Sequence, residues 1–187
     1  MKKSEQPMNI HFEQLKVTED VTESLVRWYN DEEIAPFIHP NFQAHEPPPF
    51  TKDDALIACS PYLDKFNFLV FDGAKVIGEL SITRHFLMLH ENTPHSAWIS
   101  ICIGEKEYWG KGIATMAMEF LEAECLKMGF HRIELGVFEH NIRAYLRYQK
   151  LGYREIACYP KFTYSNGDWY ADIRMEKILS SNVNQGS

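Results

Sequence analysis

Cysteine is sparse in this sequence, and no two of Cys59, Cys102, Cys125 and Cys158 stand at the C-x-x-C spacing of a zinc or redox site. That excludes a disulfide scaffold and a structural metal centre, so the four are expected to be reduced core thiols. Long apolar runs are absent too. None reaches the roughly 18 residues of a membrane span, and the first residues lack the charged, apolar and small-residue succession of a secretory signal. The expectation is a cytoplasmic protein with no membrane partner. Nor is there an excess of positive charge. A formal net charge of −7 argues against nucleic acid, whose phosphates demand a basic face, and favours a cationic or neutral substrate. We find no internal repeat.

What is present is enough for one globular domain. The chain has 187 residues, 45% of them hydrophobic and 13% aromatic, which suffices for a core without staples. Residues 9–179 read as a single domain. Residues 1–8 and the low-complexity tail 180–187 read as flexible termini without chemistry.

The pattern between them alternates. His11 to Val17 reads as a strand, and Thr18 or Asp20 can cap a helix through Leu25, Val26 and Tyr29. Ala35 to Lys52 holds aromatics and five prolines, which forbids a helix interior and predicts a stiff, extended loop. Thr51 to Leu63 reads as a helix with Asp53 and Asp54 in its first turn. Phe66 to Phe71 and Lys75 to Thr83 form a hairpin about Asp72-Gly73, and Ser96 to Ile103 alternates as a further strand. Ile113 to Met128 is the clearest amphipathic helix, stopped by Gly129. Arg132 to Phe138 is a strand, Asn141 to Leu151 a helix, and two last strands flank Asn166-Gly167. The sum is an α+β sheet with both parallel and antiparallel pairs.

Between a strand and the clearest helix stands GEKEYWGKGIAT, Gly104 to Thr115. Glycines on both sides of Lys111 let the backbone turn and approach a ligand, while the following helix aims unpaired N–H groups at the same place. A P-loop fails here, because five residues separate Gly104 from Gly110 where the motif has four, and Gly112 follows Lys111. A dinucleotide loop fails for want of its third glycine. A metal-free pyrophosphate site on successive backbone N–H groups fits, beside the plain alternative of a tight turn.

At this loop the sequence resembles the GNAT superfamily of N-acetyltransferases, in the branch of ribosomal-protein-alanine and spermidine acetyltransferases. Trp109–Ala114 (WGKGIA) is similar to the family's (Gln/Arg)-x-x-Gly-x-(Gly/Ala) loop, with Trp109 standing where many members carry Gln or Arg. Asn141–Tyr153 (NIRAYLRYQKLGY) is similar to its N-x-x-A-x-x-x-Y-x-x-x-G-(Phe/Tyr) helix. The resemblance implies a mostly antiparallel central sheet of about seven strands, flanked by about four helices and splayed at an acetyl-coenzyme A site. The reaction implied is acetyl transfer from acetyl-coenzyme A, as cosubstrate and without metal, to a primary amine by direct attack in a ternary complex. It leaves a homodimer open. The alternatives are a noncatalytic acetyl-coenzyme A sensor and transfer of a longer acyl group.

Carried onto this chain, the resemblance places pantetheine along Ile101, Cys102 and Ile103. The pyrophosphate falls on Trp109, Gly110, Lys111, Gly112, Ile113, Ala114 and Thr115. Asn141 bonds the pantetheine, and Tyr148 is the acid that protonates the thiolate, sharing a helix face with Asn141 two turns earlier. Candidate bases are Glu79, Glu134, His85 and His95, with Glu79 preferred for its place beside the active strand and Ser100 able to hold a water. The acceptor is expected between the Ala35–Lys52 loop and the strands around Tyr164 and Trp169, lined by Phe37, His39, Phe42 and Glu46.

Overall fold

The computed structural model describes residues 7–60 and 64–180. The outermost residues of both expected flexible termini, and Pro61–Leu63 of the expected second helix, lie outside these. Seven strands form one sheet: β1 (Ile10–Gln14), β2 (Lys65–Asp72), β3 (Lys75–Arg84), β4 (Ser96–Ile103), β5 (Arg132–Phe138), β6 (Arg154–Ser165) and β7 (Asp168–Ile178). Their order is β1-β2-β3-β4-β5-β7-β6, and every neighbouring pair is antiparallel except β4 with β5. Four helices accompany them: α1 (Glu19–Tyr29), α2 (Lys52–Cys59), α3 (Ile113–Lys127) and α4 (Ile142–Lys150). The architecture is therefore α+β.

The helices start where the local chemistry allows. The Thr18 hydroxyl accepts from the Val21 N–H to open α1, and Thr51 and Asp54 form a reciprocal capping box at α2. That cap ends β1 earlier than expected, at Gln14. The proline-rich segment is not uniformly extended: Ala35–Phe37 makes one tight 3₁₀ turn with Pro36 near its start.

Alternation in the strands sends side chains to two faces. One face carries Val70, Leu80, Ile82, Ile99, Ile133 and Met175 against Ile113, Met118 and Leu121 of α3 and Tyr148 of α4. On the other, Leu69 and Cys102 pack against Leu25 and Trp28 of α1 and Ala55 of α2. Beyond β4, among the described residues, this second face has no α-helix against it and is held by charge instead. Glu134, fully buried, accepts from Arg132 at 2.8 Å and from Arg174 at 3.4 Å; Arg132 also donates to Glu176, and Arg174 to Asp172, each at 2.6 Å. The β3–β4 connection closes over them, since Glu134 accepts from the His90 N–H and Arg174 donates to the Met88 carbonyl. Every lone pair and proton that this network leaves in a dry interior needs such a partner.

Three of the cysteines are buried, as expected, but Cys158 on β6 is exposed, because it lies on the uncovered edge strand. Among the described residues no helix is long and apolar enough to cross a membrane.

Candidate active site

β4 and β5 pair only along Ser96–Trp98 with Arg132–Glu134. From Ile99 to Ile103 the backbone of β4 has no strand partner on that side, although it stays paired to β3 on the other. This opening leads into a cleft of about 850 Å³ that passes through the sheet. Ile101, Cys102 and Ile103 line it, as do Trp109, Gly110, Gly112, Ile113 and Ala114. An exposed strand edge of this kind can take up an extended amide-bearing arm by strand addition.

The glycine loop is shaped for an anion. Gly110 and Gly112 have φ values of 82° and 85°, in the left-handed region that glycine enters without strain. Gly112 caps α3 with no side chain, so nothing fills the space before the helix. Among the described residues the N–H groups of Gly110, Gly112, Ile113 and Ala114 have no backbone acceptor. The cradle is narrower than expected from the sequence. The Thr115 N–H is already committed to the Gly112 carbonyl at 2.9 Å, and Thr115 does not line the cleft. Lys111 does not line the cleft, and its ammonium lies 5.5 Å from the centroid of the Tyr108 ring. Trp109 donates its indole N–H to the Ile103 carbonyl at 2.7 Å, clamping the loop to the end of β4. The Arg143 guanidinium lies 5.6 Å over that indole ring and brings a cation to the cradle from α4.

Tyr148 and Asn141 both face the cleft from α4. Asn141 caps the helix, its side-chain oxygen accepting from the Ala144 N–H at 3.2 Å, which leaves its amide NH₂ for a ligand. Tyr148 is 8% exposed, and burial pushes its hydroxyl up to about 12. The two tyrosines nearest it in sequence are placed differently: Tyr145 donates to Glu155, and Tyr153 is a core residue whose hydroxyl lacks a partner among the described residues.

Glu79 lines the cleft from β3, opposite Cys102 in the register, and accepts a hydrogen bond from the Tyr29 hydroxyl. Surrounding protein raises its carboxyl to about 7. The same burial, with Glu79 beside it, raises the Cys102 thiol well above its usual range. Ser100 also reaches the cleft, hydrogen-bonded to Ser81 at 2.7 Å. The other candidate bases are not there. Glu134 belongs to the buried ion network, His95 bonds the Gly129 carbonyl, and neither it nor His85 lines the cleft.

The expected acceptor wall is partly corrected. Phe37 and His39 line the cleft, and burial with nearby Lys65 lowers the His39 ring to about 4. Phe42 is outside it, 58% exposed and edge-on to Phe162, because Asn41 pins the loop to β6 through Thr163 and Tyr164. Glu46, Tyr164 and Trp169 are likewise absent from the lining, which is completed by Phe162, Asp172 and Arg174. Tyr29, Lys65, Trp98 and Arg174 escaped the sequence reading. Only the charges at every second position of Asp172-Ile-Arg-Met-Glu176, matching Arg132 and Glu134, carried a signal of a charged strand face.

Residues 22–153 match the model of the Acetyltransferase (GNAT) family, and the chain belongs to that family. An uncharacterized N-acetyltransferase of Bacillus subtilis (strain 168), YdgE, is 43% identical over 44 residues, a match spanning 24% of this chain and 28% of that relative. Among solved structures, spermidine N-acetyltransferase from Vibrio cholerae, in complex with CoA and spermine, aligns with a TM-score of 0.73 at 19% identity, over 91% of this chain and 95% of that one. The ribosomal-protein-S18-alanine N-acetyltransferase of Escherichia coli aligns with a TM-score of 0.66 at 16% identity, covering 94% and 97%. At these identities the likeness concerns the fold.

Proposed function

We propose that the protein transfers an acetyl group from acetyl-coenzyme A to a primary amine by direct attack. The observation that carries this reading is that Glu79 and Tyr148 line one cleft with the unpaired edge of β4. When bound, acetyl-coenzyme A supplies the activated acyl carbon. The N–H groups of Gly110, Gly112, Ile113 and Ala114 hold its pyrophosphate without metal, Ile101 to Ile103 pair with its arm, and the Asn141 amide donates to it.

The acceptor arrives as an ammonium, since an alkylamine titrates near 10.4. Glu79, at about 7, takes that proton through direct contact or a water held at Ser100. Desolvation helps, because the burial that lowers Lys65 in this cleft lowers a bound amine as well. The freed nitrogen attacks the acetyl carbon, the carbon–sulfur bond breaks, Tyr148 gives its proton to sulfur, and the second proton shed by the nitrogen as it becomes an amide replaces the one that Tyr148 gave. A free thiol titrates near 8.5, well below a tyrosine at about 12, but the leaving sulfur occupies the same dry surroundings and rises with it.

The test is thiol release from acetyl-coenzyme A over a panel of amines. Tyr148→Phe should lower kcat about 10²-fold or more with cofactor affinity preserved. A comparable loss in Tyr145→Phe, whose hydroxyl lies outside the cleft, would contradict the assignment. Tight cofactor binding without thiol release for any amine would favour a sensor.

A further inference from the structure

The acceptor end of the cleft carries an uncompensated cation. Lys65 opens β2 and pairs in register with Thr83 of β3. Cross-strand partners share a face, and along β3 Thr83, Ser81 and Glu79 alternate onto that same face. All four residues line the cleft. Lys65 therefore lies on a straight track that leads to Glu79, four residues and about 13 Å along the strand.

No ion pair among the described residues includes Lys65, whereas Lys52, Lys75, Lys106, Lys127 and Lys177 each hold a carboxylate. The acids near the cleft have other partners: Glu33 pairs with Lys106, Glu79 accepts from Tyr29, and Asp172 pairs with Arg174 through Oδ2, although its buried Oδ1 has no partner among the described residues. His39 adds no negative charge. Drawing a lone ammonium into such surroundings is costly unless an anion meets it. Protein burial accordingly lowers Lys65 from its usual range.

We infer that Lys65 binds a carboxylate on the acceptor, so that the substrate is a primary amine carrying a carboxylate several bonds from its nitrogen, a short peptide or an ω-amino acid in type. This rests on the transferase reading for the place of the amine. A polyamine has nothing to offer Lys65 except repulsion.

Binding separates this inference from catalysis. With the protein saturated in coenzyme A, calorimetry should find 6-aminohexanoate bound at least about tenfold more tightly than 6-aminohexanamide. Lys65→Met should erase that preference and Lys65→Arg keep it, with unchanged coenzyme A affinity showing that both variants fold. Equal affinity for acid and amide, binding of neither, a preference surviving in Lys65→Met, or spermidine binding more tightly than both would each overturn it. A Lys65-dependent preference without any thiol release from acetyl-coenzyme A would overturn the transferase reading alone.

Discussion

Glu79 is a carboxyl group that the fold discourages from ionising, and that has consequences of opposite sign for rate and stability. In its proposed role as base it works only when deprotonated, so kcat/KM should rise with pH through about 7. Its folded pKa lies above the unfolded value near 4.3, so the native state holds its proton more tightly. Stability from this group is full below about 4.3 and is lost as pH rises toward about 7. Glu79→Gln keeps the shape and removes the titration. The variant should lose most turnover, match the parent's melting temperature at pH 4 and exceed it at pH 8. Parallel melting temperatures across that range would show that the carboxyl is not held protonated by its surroundings.

At the scale of elements, the loop into α3 shows how much a left-handed glycine decides. Gly112 has open space where a Cβ would go, so substitution there brings no clash, only the backbone cost of φ 85° and an occupied cradle. Gly112→Glu should abolish acetyl-coenzyme A binding in calorimetry, since its carboxylate enters the place of the pyrophosphate. Undiminished affinity would remove the loop from the site. This loop was legible in the sequence because its signals are local: two glycines, a strand before and a helical period after. The helix of Asn141 and Tyr148 was legible for the same reason. Lys65 and Arg174 were not, because the register of β2 on β3 and of β7 on β5 turns them to the cleft, and register is decided by partners far away in the chain. Phe42 misled for the converse reason. Its composition suited a binding loop, but Asn41 anchors that segment to β6.

Across the whole molecule, the sheet is two halves joined by a parallel ladder of only three residue pairs. The buried charges reinforce that seam: Arg132 donates to Ser96 and to the Glu91 carbonyl, and the Arg174 guanidinium lies 4.8 Å over the Trp98 ring of β4. Removing their shared carboxylate in Glu134→Ala leaves two guanidinium groups buried and should cost about 3–5 kcal/mol in denaturant unfolding. A loss below about 1 kcal/mol would show that the seam does not depend on it. The exposure of Cys158 has a practical meaning. Burial raises the thiols of Cys59 and Cys102 and brings Cys125 to about 12, so these three are poorly nucleophilic near neutral pH. A maleimide dye added to the unmodified protein thus attaches at one place, Cys158 on β6. The chain carries its own fluorescent-labelling handle on an edge strand and needs no cysteine engineered in or out.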